Sequence, residues 1–271
     1  MSKNPISEKP RVQIIVATHK KYRMPEDKMY LPLQVGAEGK QDLGYAKDNT
    51  GDNISVLNPS FCELTGLYWA WKNLDAEYIG LVHYRRHFGS GGKDPFSAIL
   101  TYHQLLPMLE RYSVFVPRKR RYYIESLYTH YQHTHYAEHL DITREIIAEK
   151  YPTDIASYDK VIRHTYGYMF NMAIMKKELW DAYCGWLFDV LFELDRRIDT
   201  TGISAYQKRF HGRVSEILFN VWLHEQVKSG QLEKREIKEL AYQHMEKVNW
   251  LEKGTAFIKA KFLGLKYEGS F

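Results

Sequence analysis

Three short apolar runs constrain this chain more than any other feature: residues 12–17 (VQIIVA), 78–82 (YIGLV) and 112–116 (YSVFV). Each is rich in β-branched or aromatic side chains and nearly free of polar interruption, which predicts strands covered on both faces. All three end in polar, mostly cationic groups: Thr18, His19 and Lys20 after the first, His83, Tyr84, Arg85 and Arg86 after the second, Pro117 and the basic run 118–121 after the third. The stretches between and after them carry the helical period. Residues 60–73 put Phe61, Leu64, Tyr68 and Trp71 on one face, with Asn58 and Pro59 as N-cap and first-turn proline, and 101–111 predicts a second helix. Residues 166–175 have β character, 176–197 predict a long helix, and 214–228 predict another with Val214, Ile217, Leu218 and Val221 inward. Strands alternating with helices predict an α/β fold, an open Rossmann-type sheet flanked by helices, in which ligands collect beyond the carboxyl ends of the strands. The boundaries expected are one domain over 1–228 and a helical C-terminal extension over 229–271.

Composition narrows the function classes. With 44% hydrophobic and 26% charged residues the chain is neither disordered nor a coiled-coil rod. No apolar stretch reaches the length that spans a bilayer, and the first residues lack the apolar core of a secretion signal, so the expected location is cytoplasmic. Two cysteines, Cys62 and Cys184, both in segments read as helical, are too few for a disulfide framework or a four-cysteine zinc site. Twenty-one tyrosines and six tryptophans offer flat faces of the kind that sugars and bases stack on, although a tyrosine-rich core is the commoner use. A formal net charge of +5 favours anionic partners without choosing among them.

Four segments could carry chemistry. Residues 47–58 crowd Asp48, Asn49, Asp52, Asn53, Ser55 and Asn58 around Gly51, either a plain turn or a loop offering carboxylates and amides to a nucleotide. The run His83-Tyr-Arg85-Arg86-His-Phe closes an apolar strand; its guanidinium forks suit a diphosphate, unless it is only a solvated basic turn. Nowhere does the sequence contain Asp-x-Asp, the metal clamp of many sugar-nucleotide transferases, so no obligatory metal is expected, Mg²⁺ or Mn²⁺ staying possible. His135 and His139 would share a helical face as a two-ligand metal pair or, more simply, line a polar wall. Residues 207–220 gather Arg209, His211, Arg213 and Glu216; Glu216 is read as a first-turn carboxylate, either the general base or a helix-stabilising acid. Arg209, His211 and His135 are the expected acceptor contacts.

The blocks IIVATHK (14–20), DNTGDNIS (48–55), FCELTGLYWAWKN (61–73), YIGLVHYRRHF (78–88), YYIESLYTHY (122–131), 169–195 and SEILFNVWL (215–223) carry a resemblance. Together they resemble the bacterial uncharacterised-domain family of capsular and exopolysaccharide gene clusters, assigned to glycosyltransferases; ELTGLYWAWKN and HYRRHF are the most specific parts. The resemblance implies an A-type glycosyltransferase fold, a UDP-sugar donor (galactose, pyranose or furanose) and a lipid-linked oligosaccharide acceptor. It further implies that Thr18 and His19 hold the nucleotide, that Asn49, Asp52 and Asn53 lie in the donor loop, and that Glu63 and Thr65 contact the donor alongside His83, Arg85 and Arg86. Residues 255–267 (TAFIKAKFLGLKY) interleave apolar and lysine side chains, which predicts either peripheral attachment to the anionic inner face of the plasma membrane or a helix docked on its own domain. The alternative from another class is a non-catalytic carbohydrate or nucleic-acid binding protein using the same aromatics and arginines. The mixture of carboxylates among the cations favours the enzyme, with no nucleic-acid partner.

Overall fold

The computed structural model describes residues 10–89 and 94–246. The first apolar run becomes β1 (Val12–Thr18) and the second β4 (Tyr78–His83), side by side and parallel. Their side chains alternate between two cores. Ile15, Ala17, Ile79 and Leu81 point into a large cluster under the helices; Val12, Ile14, Val16, Tyr78 and Val82 point into a smaller one on the opposite face. Both faces are therefore covered, as unbroken apolar strands require.

On one side of β1 follow β2 (Tyr30–Gln34) and β3 (Ala46–Lys47), both parallel. On the other side of β4 lies β9 (Ala173–Lys176), then β6 (Val114–Pro117) and β10 (Ile237–Leu240), giving the order β10-β6-β9-β4-β1-β2-β3. β9 runs antiparallel to both neighbours, so the sheet is mixed. β5 (Arg86–Phe88) folds back on β4 and pairs with β11 (Tyr242–His244), while β7 (Arg120–Arg121) and β8 (Tyr166–Gly167) form a separate ribbon.

The helices explain several departures from the sequence reading. The helix expected over 60–73 is two pieces, α1 (Asn58–Phe61) and α2 (Leu64–Asn73), broken where Cys62 takes φ 54°; Cys62 is thus at a helix break and not within a helix. α2 packs tightly on the sheet at Gly66, where an added Cβ would come within 2.8 Å of Val35 Cγ1, so a larger residue there would push helix from sheet. α3 (Tyr102–Leu109) starts with a Thr101–Gln104 capping box. α4 (Leu127–Thr134) ends before His135 and α5 (Glu138–Lys150) starts after it, so His135 and His139 are not on one helix and the metal-pair spacing does not exist. α6 (Ile155–Val161), α7 (Lys177–Arg197) and α8 (Phe210–Lys228) complete a C-terminal half dominated by helices. α8 begins four residues earlier than expected, which moves Glu216 out of the first turn, so dipole stabilisation of a first-turn acid does not apply to it.

The extension expected after residue 228 is corrected over its described part. Residues 237–244 are strands, and β10 closes the edge of the main sheet beside β6, so they belong to the domain. The segment 255–267 lies outside the described residues. Among the described residues no helix is long and apolar enough to cross a membrane.

Candidate functional site

A crevice opens at the carboxyl end of β4, walled by Cys62, Glu63, His83, Arg85, Arg86, Arg120, Phe170, Tyr206, Arg209, Gly212, Arg213 and Glu216. It shares Arg120, Tyr206, Arg213 and Glu216 with the lining of a neighbouring cavity of about 310 Å³ that adds Tyr122, His130, Tyr131 and His135. The hairpin β4–β5 builds one wall. Because His83 and Arg86 are directly opposed across it, both side chains leave on the same face, with Tyr84 buried beneath and Arg85 at the turn.

The opposite wall is made by α8 and the turn 168–172. Phe170 and Asn171 take φ of 79° and 52°, conformations that side-chain-bearing residues adopt only when their surroundings enforce them. The surroundings here are the site itself. The Phe170 N–H donates to Glu216 Oε1 at 3.0 Å, its carbonyl accepts from His83 Nε2 at 2.6 Å, and its ring lies 3.9 Å below the Arg86 guanidinium. Asn171 donates to Glu63 Oε1 at 2.8 Å and to the Gly212 carbonyl, and accepts from Ser215.

Electrostatics separate the two acids. Burial raises the proton affinity of Glu216, and the negative Glu63 adds to this; Arg213, Arg86 and the Phe170 N–H pull the other way without cancelling it. For Glu63 burial is outweighed by His83, the Asn171 amide and Arg213, and its carboxyl ends below the usual range. Burial lowers His83, with Glu63 opposing and Arg86 and Arg85 reinforcing. Since a carbonyl can only accept, His83 carries a proton on Nε2, and Nδ1 is the nitrogen left to act as a base. Arg86 is pulled down to about 10, chiefly by burial, and its Nε finds no acceptor among the described residues. Arg213 is also opposed by burial, but Glu216, Tyr206 and Glu63 raise it above its ordinary value.

Of the residues expected from the sequence, the crevice brings together Glu63, His83, Arg85, Arg86, Arg209 and Glu216. His19 is exposed at the rim, edge-on to Tyr84, and Arg85 and Arg209 are close enough to help lower its pKa after burial. His135 lines the adjoining cavity; Gln207, oriented by its own bond to the Thr134 carbonyl, presents its amide oxygen to His135 Nδ1 at 2.9 Å. Burial takes its pKa down to about 3.

Six expectations are corrected by position. Thr18 is buried, and its hydroxyl folds back on the Lys20 carbonyl as part of a turn. Thr65 is buried too and donates to Asp48 Oδ2 at 2.6 Å. Asp48 also accepts from Gly36 N, Ala37 N and Ser55 Oγ, so this carboxylate knits the 34–55 loop together. From that knot the 49–53 loop descends along the outside of α2: Thr50 meets Trp69, Asp52 accepts from Tyr68, and Gly51 abuts Asn73. These anchors lie one to two helical turns beyond Thr65, and Asn49, Asp52 and Asn53 are not among the residues that wall the crevice. Asn49 bonds to Glu38 and Asn53 caps its own turn. His211 is fully buried, stacked between Phe61 and Phe210 with Nε2 3.0 Å from Asp195 Oδ1, and lines neither the crevice nor the adjoining cavity. Among the described residues no group of three or more His, Cys, Asp or Glu could hold a metal ion.

Sequence reasoning missed Arg120, Tyr206, Phe170 and above all Asn171. A lone amide inside the apolar run YGYMFNMAIM was the available signal, because Asn tolerates left-handed backbone and breaks a strand.

The open mixed sheet with its crevice beyond the strand ends is an architecture that this chain shares with a solved glycosyltransferase. The chain is similar to the apo structure of the WbbM bifunctional glycosyltransferase, with a TM-score of 0.79 and 28% identity over 87% of this chain. It spans 45% of that protein's chain. The chain belongs to the family described as a domain of unknown function, DUF4422, whose model matches residues 13–227. No curated protein matches it.

Proposed function

We propose that this chain is a glycosyltransferase that moves a hexosyl group, galactose as pyranose or furanose, from a UDP-sugar to a lipid-linked oligosaccharide in capsular or exopolysaccharide synthesis. The observation that carries the reading is the convergence of five arginines on one crevice with a single carboxylate of raised proton affinity. In the transfer, an acceptor hydroxyl attacks the anomeric carbon, the bond from that carbon to the diphosphate oxygen breaks, and UDP leaves with the bonding pair. Arg85, Arg86 and Arg209 face that developing charge in a partly desolvated site, where fixed donors act most strongly. Glu216 takes the acceptor's proton, and its raised affinity makes it the better base of the two acids. Glu63, held ionised by Asn171 and Arg213, is suited to accepting donor hydroxyls. The glycosyltransferase likeness of 28% identity supports the reaction class; the UDP donor, the acceptor and charge neutralisation without an obligatory divalent ion are part of the proposal.

Calorimetric titration of UDP-galactose in excess EDTA tests it. Binding should persist in chelator and weaken by about tenfold or more in Arg85→Ala and Arg86→Ala, the scale of one charge-assisted hydrogen bond. Binding abolished by EDTA and restored by Mn²⁺ would overturn the metal-free reading, and no binding under either condition would overturn the donor.

A further inference from the structure

Beside the mouth of the larger cavity the chain displays apolar side chains in water by design of its backbone. Tyr123 and Ile124 are 80% and 78% exposed, and only Val56 joins them as an exposed large hydrophobic residue among the described residues. They sit on a tight turn in which the Ile124 N–H donates to the Tyr122 carbonyl at 2.7 Å and Tyr123 takes φ 59°, a left-handed conformation that a tyrosine adopts only under constraint. The turn is clamped at its base. Tyr122 N–H bonds to the Thr165 carbonyl, Leu127 N–H to the His164 carbonyl, and buried Glu125 accepts from His130 and His133. The two apolar tips are thus held outward, and leading into them are Arg118, Arg120 and Arg121, all exposed, with Lys119 partly engaged by Glu239.

We propose that the segment 118–124 is a docking tip for an anionic lipid surface, with Tyr123 and Ile124 entering the headgroup boundary and the arginines meeting the lipid charge. Two side chains are far too little for a stable protein interface, which needs about 800 Å² from each partner. Shallow insertion backed by cations is sufficient for a membrane surface, where each basic side chain near the lipid strengthens binding about fivefold. Arg120, Arg121 and Tyr122 also line the cavity, so docking would turn its mouth toward the bilayer. The consequence for an acceptor carried on lipid rests on the proposed function; the docking itself does not.

The experiment is flotation of the full chain, residues 255–267 included, with vesicles of phosphatidylcholine alone or with 30% (about one lipid in three) phosphatidylglycerol. The wild type should float with the anionic vesicles and not with the neutral ones. Tyr123→Ser/Ile124→Ser should lower the bound fraction about tenfold or more, and Arg118→Ser several-fold, with melting temperature and UDP-galactose titration unchanged. A wild type that fails to float, floats equally on neutral vesicles, or floats undiminished in the double variant would overturn the proposal. Loss of UDP-galactose binding with flotation intact would instead fail the donor reading and leave the docking tip standing.

Discussion

Replacing Glu216 by Gln separates the chemistry of this site from its architecture. Gln keeps the side-chain volume, and its amide oxygen can go on accepting the Phe170 N–H that now reaches Glu216 Oε1 at 3.0 Å. What disappears is the charge and the capacity to take a proton. Since burial already disfavours the ionised carboxylate, Glu216→Gln should melt no lower than the wild type. Donor affinity should hold or improve, because one negative charge facing a diphosphate is gone. Turnover should fall by about 10² to 10⁴, the range of a positioned general base, equivalent to about 3 to 5 kcal/mol of barrier. Steady-state UDP release with saturating donor and a lipid-linked glycan acceptor, alongside calorimetric titration of donor, reads both quantities. Turnover kept within a few-fold would refute the assignment and pass the role to His83, whose Nδ1 is its basic nitrogen. Equal losses of binding and turnover would make Glu216 a donor ligand.

Four further substitutions test the structure. Because Arg213 lowers the proton affinity of Glu216, Arg213→Met should shift the acid limb of the kcat–pH profile to higher pH, and a limb that stays put would sever the two groups. Asp48→Asn should destabilise the fold by about 2 to 4 kcal/mol in urea, since the amide nitrogen that replaces one oxygen cannot accept two of the buried carboxylate's four bonds, whereas Asp52→Ala on the outer loop should leave UDP-galactose affinity within about twofold. Burial takes His87 down to about 4 and His135 to about 3, while unfolded histidines protonate near 6.5. The unfolded state therefore binds more protons throughout that window, and stability present above pH 6.5 is lost as pH falls toward 4. At pH 5 His87 alone accounts for up to about 2 kcal/mol, so His87→Phe should flatten the decline between pH 7 and 5 in urea titrations.

What the sequence made legible, and what it hid, divides along a physical line. β1 and β4 are readable because continuous apolar runs have few other fates, and HYRRHF is readable because arginines at a buried strand's end have nowhere to go but the crevice. Glu216 is found for a reason that fails: its helix begins at Phe210, and its environment comes from Arg213, Arg86 and the Phe170 amide, not from a helix terminus. His211 and Thr65 look functional because polar residues in a motif suggest a ligand, yet one is sandwiched by aromatics and the other serves Asp48. The 49–53 loop has the composition of a binding loop and the position of a brace, a difference set by its contacts with Tyr68, Trp69 and Asn73. Asn171 escapes notice because its partners are 108, 44 and 41 residues away, a relation no local pattern encodes.

Those separations bear on how the site is assembled. The 168–172 turn joins His83 across 87 residues, Glu63 across 108 and Glu216 across 46. Every one of these links closes a long loop of chain, at a larger entropy cost than a local contact. The arginine-bearing hairpin closes locally, whereas a ribosome must deliver α8 before Glu216 meets the turn. The amide of Phe170 records the event: its exchange with solvent is protected only when the strained turn has met Glu216, so hydrogen exchange at that one position times the moment the chain becomes competent, and shows how soon competence is lost when the fold loosens.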